Sequence, residues 1–158
     1  MKSPVPLKIV QLAFRAGLAG GVATWAAQLL TLQHPIYAFI AAVIVTDLSP
    51  SQSQGLGLRR ILATAIGAVC GAVLSQLLGT TPAVAGMSVV VAMLVGYLLG
   101  AGDGAKVAGY ICGIVVLDHS AEPWIYAGQR FIETILGVVI AWMISYLPIV
   151  LHEKQPDD

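Results

Sequence analysis

The sequence predicts an all-α membrane protein with six transmembrane helices. Of its 158 residues, 58% are apolar and only 10% are charged, and the mean hydropathy is +0.86. Soluble globular domains carry about 25% charged residues, so this composition argues against a water-soluble enzyme and against a disordered chain. The apolar runs lack the alternation of barrel strands, which leaves helices as the structure that satisfies the backbone in lipid. Equal numbers of acidic and basic residues leave no basic field for nucleic acid.

Turn residues and charges separate six apolar segments, and each is expected to form one helix. The segments run from about Ile9 to Leu32, Pro35 to Leu48, Arg60 to Leu78, Ala83 to Leu99, Ala105 to Leu117 and Trp124 to Leu151. Residues 1–8 are expected to be a cytosolic lead, residues 9–151 the membrane domain and residues 152–158 a cytosolic tail. Because a helix needs about 20 residues to cross the hydrocarbon, the second and fifth segments are short.

The boundaries follow from local sequence signals. The break at 33–35 ends the first segment, and its proline suits the first turn of the second. Residues 49–52 (Ser-Pro-Ser-Gln) fit a capping box ahead of the third segment, which ends at the turn 79–82. The fourth segment ends before the glycine-rich connector 100–106, and the fifth ends at Asp118.

The distribution of basic residues predicts that both termini are cytoplasmic. With a cytoplasmic N-terminus, seven of the eight basic residues lie on or towards the inner side, and only Arg130 lies towards the outer side. Trp124 and Tyr126 are then expected at the outer interface as aromatic anchors. We therefore expect a multi-pass protein of a plasma membrane, such as a bacterial inner membrane.

Glycines four residues apart occur in four of the segments. The pairs are Gly17/Gly21, Gly67/Gly71, Gly96/Gly100 and Gly109/Gly113. Chance could produce some of them among 17 glycines, but small residues at this spacing let helix backbones approach closely in a membrane. They favour a tightly packed bundle.

The two halves of the membrane domain, about 9–78 and 83–151, resemble each other. Residues 45–49 (VTDLS) and 116–120 (VLDHS) each precede an Arg-x-x-x-Thr-x-x-Gly segment, at 60–67 and 130–137. Three spans are an odd number, so the second repeat would be inverted across the membrane. Inverted repeats are typical of transporters, and short spans at corresponding positions point to the binding site.

Ionisable residues inside spans are expensive and tend to face a bundle interior, so they are candidate site residues. The candidate ligands for an anion are Arg15, Arg60 and Arg130. The candidates for proton coupling or ion pairing are Glu133, Asp47 and Asp118.

Each candidate also has a structural alternative. Arg130 and Glu133, three residues apart, could form a structural ion pair, and Arg60 could be a positive-inside anchor. Arg15 could extend to the cytosolic surface, and each aspartate could cap a helix.

Enzymatic and metal chemistry are not expected. Cys70 and Cys112 both lie inside apolar runs, where a thiol is a packing residue. The three histidines show no metal-ligand spacing, and no catalytic motif is present. The sequence therefore predicts no enzyme, no metal and no cofactor.

Three stretches of the chain resemble the fusaric acid resistance (FUSC-like) and aromatic acid exporter family. They are His34–Val43, then Asp47 and Ser49-Pro50 followed by Arg59–Ala68, and Gln129–Val138. The resemblance extends from about Leu7 to Pro148. It implies a six-helix membrane module that exports aromatic carboxylates such as p-hydroxybenzoate. Related plant aluminium-activated malate transporters use a similar module as an anion channel.

The resemblance carries further expectations and one departure. Long exporters of this kind carry two such modules plus soluble domains, whereas this sequence stops ten residues after Pro148. A homodimer or higher homo-oligomer is therefore expected, with the lipid bilayer and a small organic anion as partners and no nucleic acid. We expect efflux of organic anions by proton-coupled secondary transport. An anion channel or a non-transporting membrane component is the alternative.

Overall fold

A computed structural model describes residues 6–118 and 122–147, and the regular structure in these ranges is entirely helical. The predicted all-α class with six helices is confirmed. The helices are α1 (Leu7–Leu29), α2 (Pro35–Val45), α3 (Pro50–Leu78), α4 (Pro82–Leu98), α5 (Ala105–Asp118) and α6 (Pro123–Ser145), with a 3₁₀ turn at Gly102–Gly104. The N-terminal lead up to residue 5, the second Asp-x-Ser stretch beyond Asp118, and residues 148–158 with the expected tail lie outside the described residues.

The third helix begins ten residues before its expected start at Arg60. Ser49 is the residue before the first turn, and Pro50 occupies that turn, so the polar stretch that follows is helical. The expected capping box does not form, because the Ser49 side chain makes no capping hydrogen bond. The backbone N–H of Ser49 donates to Asp47 Oδ1 (3.1 Å), and the N–H of Asp47 donates to Ser53 Oγ (2.8 Å).

Contacts between residues show which neighbouring helices are parallel and which are antiparallel. α3 and α6 are antiparallel, since Ser53 lies against Ser145 at one end and Gln76 against Trp124 at the other. α2 runs in the same direction as α6, and α5 in the same direction as α3. α1 is antiparallel to α2, and α4 is antiparallel to α5.

The packing of one half corresponds to the packing of the other. α1 contacts α2 and α6, while α4 contacts α5 and α3. The extensive contacts between α2 and α6 are matched by those between α5 and α3. α3 and α6 contact each other along the middle of the bundle. The contact pattern is therefore unchanged when α1, α2 and α3 are exchanged for α4, α5 and α6.

Two matched glycines explain the close helix pairs. A Cβ on Gly67 would meet the backbone of Ala108 in α5, and a Cβ on Gly137 would meet the backbone of Ala38 in α2. These glycines end the two Arg-x-x-x-Thr-x-x-Gly segments. By contrast, Gly17 and Gly21 face open space, so this pair makes no close helix contact within the described chain. Gly20 is the α1 glycine that faces α2, at Phe39.

The interior is built mostly from small apolar residues with several polar and charged side chains among them, while many large apolar side chains are exposed. Much of the interior is alanine, and large apolar side chains such as Trp25, Leu77 and Leu98 are exposed. Buried polar and charged residues are Arg15, Thr46, Ser53, Arg60, Thr64, Ser75, Ser88, Arg130, Glu133, Thr134 and Ser145. Two of the described helices, α3 and α6, are long and apolar enough to cross a membrane, while α2 and α4 are shorter apolar helices.

Candidate functional site

The Arg130 guanidinium is enclosed by α6 and α2. It is 1% exposed and lies over the ring of Tyr37, 3.0 Å from the ring centroid. Tyr126, one turn earlier on α6, donates its hydroxyl hydrogen to the Tyr37 hydroxyl (3.1 Å). His34 lies 5.7 Å from each tyrosine ring, centroid to centroid. Tyr37, the ring next to this arginine, is therefore itself part of an aromatic cluster with Tyr126 and His34.

Glu133 is fully buried one turn beyond Arg130. Its Oε1 accepts the backbone N–H of His34 (2.9 Å) and lies 3.9 Å from His34 Nδ1. Its Oε2 is buried without a hydrogen-bond partner. Arg130 and Glu133 act on each other electrostatically, but they form no direct salt bridge within the described ranges.

Arg60 has the corresponding position in the other half. It is 3% exposed and lies over the ring of Tyr110 in α5, 5.5 Å from the centroid. The matched threonines of the two segments, Thr64 and Thr134, are also buried. The two sequence-matched arginines thus share burial and a tyrosine neighbour from the helix that runs parallel to their own.

Part of each guanidinium is buried without a hydrogen-bond partner among the residues described. The Nε and Nη1 atoms of both Arg60 and Arg130 are buried with no hydrogen-bond partner among the residues described. The charges of the two side chains also act on each other. Burying a charge is costly unless it is paired. The arrangement therefore provides positive charge and N–H donors suited to an anion.

Cavities open near the two arginines at opposite ends of the bundle. A cavity of about 300 Å³, the His34 cavity, is lined by Gln33, His34, Asp118, Glu122, Ile125, Tyr126 and Gln129. A smaller one of about 140 Å³, the Arg60 cavity, is lined by Ile44, Leu56, Arg59, Arg60, Asp103, Gly104 and Val107. A third, of about 390 Å³, includes Asp47 and shares Leu56 and Arg59 with the Arg60 cavity. His34 and Ile44 lie at opposite ends of α2, so the length of this short helix separates the His34 cavity from the other two cavities.

Arg15 is not brought together with Arg130. Its Nη1 donates to the carbonyl of Leu48 and its Nη2 to the carbonyl of Leu147, each at 3.1 Å. Leu147 follows Arg130 by 17 residues, or about 25 Å along a helix. Through these two hydrogen bonds, Arg15 links the segment that follows α2 to the segment that follows α6.

The two candidate aspartates lie at opposite ends of the bundle. Asp118 is exposed at the end of α5 and lines the His34 cavity. Asp47 is half-buried after α2, where its carboxylate accepts from the N–H of Ser49. Between them, the structure places Arg130, Glu133 and Arg60 in the interior. No group of three or more metal-ligating side chains is present among the residues described.

The aromatic residues at the site were not among the sequence candidates. Tyr126 is 3% exposed and bonded to Tyr37, so its expected role as an interfacial anchor is wrong. Trp124 is about half exposed, as an anchor would be. The available signal was spacing, because Tyr126 and Arg130 lie four residues apart on one face of a helix. Nothing in the sequence paired Tyr37 or Tyr110 with an arginine from another helix.

Comparison with known proteins gives one match. A family model described as fusaric acid resistance protein-like matches residues 22–144, which is more than half of the chain. No curated protein and no solved structure matches it. The matched range includes both arginines, Glu133 and the tyrosines around them.

Proposed function

Because the chain belongs to the fusaric acid resistance protein-like family, which is associated with membrane transport and not with enzymes, we propose that it carries organic anions across a membrane. The observation that carries this proposal is the pair of buried arginines. Arg60 and Arg130 present unpartnered N–H groups inside an otherwise small-residue interior. A carboxylate would pair with such groups through charge-assisted hydrogen bonds.

The proposed setting is a plasma membrane, crossed by two inverted three-helix repeats with both termini cytoplasmic. The apolar exterior and the charged residues buried inside support it, because exposed apolar side chains suit a lipid environment. The equivalent contacts of the two halves and the antiparallel α3 and α6 support inversion. The shortest helices, α2 and α5, also supply the tyrosines over the two arginines.

The proposed substrates are aromatic carboxylates, exported by coupling to protons. The aromatic cluster of His34, Tyr37 and Tyr126, in which Tyr37 contacts Arg130, supports a planar ring next to a carboxylate. Glu133 is proposed to carry the coupled proton. Its buried and unpartnered Oε2, with His34 between it and the cavity, supports this role.

Uptake of p-hydroxybenzoate into proteoliposomes, with and without an imposed pH gradient, tests the proposal. We expect saturable accumulation above equilibrium that collapses when the gradient is dissipated. Flux that only dissipates the gradient of the anion itself, with no response to pH, would replace the coupled transporter with a channel. Absence of flux in both conditions would contradict anion transport of this class.

A further inference from the structure

We propose that the bundle contains two separate anion stations, one at Arg130 and one at Arg60, which hold one anion each at the same time. This inference rests on the proposed function, since it assumes that organic anions enter the bundle. It adds the number of bound anions, their separation and the residues that define each station. A single anion bridging both arginines is the arrangement that it excludes.

The first argument is that each arginine has buried N–H groups that no acceptor of the described residues pairs with. Both are at least 97% buried, and both have an Nε and an Nη1 atom without a partner in the described ranges. Glu133 is the buried carboxylate of the described interior, and one carboxylate cannot neutralise two guanidinium groups. Glu133 also directs Oε1 to the backbone of His34.

The second argument is that the stations open in different places. Arg60 itself lines the cavity at the end of α2 that includes Ile44. Arg130 does not line the cavity at the other end of α2, but its neighbour Gln129 does, together with Tyr126 and His34. An 11-residue helix is about 16 Å long, so the two cavities are separated by roughly that length. One small carboxylate cannot occupy both.

The third argument is that a tyrosine holds each arginine without neutralising it. Arg130 lies over the ring of Tyr37, and Arg60 lies over the ring of Tyr110. A cation–π contact stabilises the guanidinium without neutralising its positive charge. The N–H groups lie at the edge of the guanidinium plane, where a carboxylate binds. Each Arg–Tyr pair therefore supplies the protein groups of one anion station, and the anion itself completes the station.

The electrostatic coupling of the arginines predicts two unequal affinities. The first anion enters an interior that holds two buried positive charges, on Arg60 and Arg130, and both attract it. Once it is bound, one of those charges is neutralised, so the second anion experiences a weaker attraction. Binding is then expected to fill two sites per chain with different dissociation constants.

Equilibrium dialysis of radiolabelled p-hydroxybenzoate against the purified full chain in detergent tests the inference. We expect two anions per chain for the wild type, one for Arg60→Gln, one for Arg130→Gln, and two for the control Lys106→Gln, whose exposed cation lines neither cavity. Size-exclusion profiles check that each variant is folded.

Tyr110→Leu provides a second variant if Arg60→Gln does not fold, since Tyr110 is 39% exposed and tolerates change more readily. It is expected to weaken one of the two sites and leave the other unchanged, while Tyr110→Phe keeps both. One anion per wild-type chain, lost in either arginine variant, would overturn the two stations and leave anion transport intact. No binding and no flux in the wild type would contradict the proposed function itself.

Discussion

Three side chains, Arg60, Arg130 and Glu133, carry most of the chemistry proposed for this protein. All three are buried, and all three have at least one polar atom without a partner in the described chain. Such atoms cost free energy when nothing pairs with them. A ligand that pairs with these buried atoms would remove that cost, which is the physical reason to propose that the three side chains bind one.

Replacing Glu133 with glutamine should abolish the coupling of anion transport to the pH gradient and leave passive anion flux. The amide keeps the acceptor for the His34 N–H but cannot carry the proton. We expect p-hydroxybenzoate flux down its own gradient to persist, and accumulation driven by a pH gradient to disappear. Glu133→Asp, which keeps a carboxyl group, should retain part of the accumulation. Full accumulation in Glu133→Gln proteoliposomes would remove this residue from the coupling mechanism.

Replacing Arg15 with glutamine should affect stability more than transport. Arg15 bonds the carbonyls of Leu48 and Leu147, and a hydrogen bond involving a charged group contributes about 1.5–3 kcal/mol. We expect a lower thermal melting temperature in detergent and a nearly unchanged KM for p-hydroxybenzoate. A large rise in KM with unchanged melting would instead support Arg15 as an anion ligand.

The helices explain how the arginines come to be paired with tyrosines. α2 lies along α6 and α5 lies along α3, and each pair approaches closely at a glycine, Gly137 or Gly67. These glycines stand seven residues after Arg130 and Arg60 in the matched segments. The same sequence segment therefore supplies the buried arginine and, seven residues later, the glycine at which the neighbouring helix approaches closely.

Alanine substitutions should have opposite effects at buried and open glycines. Gly67→Ala and Gly137→Ala place a methyl group against the backbone of a neighbouring helix. Overpacking of this kind costs about 1–3 kcal/mol, so both should lower the melting temperature. Gly86→Ala, whose Cβ meets nothing within 4 Å, is the matched control. It should be neutral or stabilising by about 0.5–1 kcal/mol, because alanine favours the helix. Equal effects at all three positions would contradict the packing.

Sequence reasoning located the helices better than it located their contacts. Apolar runs and turn residues gave helix ends within a few residues for α1, α2, α4 and α5. The start of α3 was misplaced because polar residues 51–55 looked like a linker, although they continue the helix. Tyr37 and Tyr110 were missed because pairing between helices depends on their relative rotation, which the sequence of one helix does not specify. Burial of Arg60 and Arg130 was one of the alternatives that the sequence left open, since a charged residue in an apolar run either faces the interior or anchors at the membrane surface.

The molecule as a whole is organised as two halves whose contacts correspond. If these halves are inverted across a membrane, successive loops must face opposite sides. The loop between α3 and α4 is predicted to be external, and the loop between α4 and α5 to be cytoplasmic.

Single cysteines provide the test of this topology. Thr80→Cys should react with an impermeant maleimide added outside intact cells, whereas Asp103→Cys should react only after the membrane is opened. Both positions are exposed in the structure. The unmodified chain, with Cys70 partly buried and Cys112 buried, gives the background. External labelling of both positions would contradict the inverted arrangement, and external labelling of Asp103→Cys alone would contradict the cytoplasmic termini.

The most direct test is p-hydroxybenzoate flux through Arg130→Gln in proteoliposomes, beside the wild type and Lys106→Gln. Loss of a charge-assisted contact worth about 1.5–3 kcal/mol lowers affinity roughly tenfold to a hundredfold. We therefore predict saturable flux in the wild type and the lysine control, and at least about a tenfold loss at subsaturating substrate in folded Arg130→Gln. Equal flux in all three proteins would show that the buried arginine does not bind the transported anion.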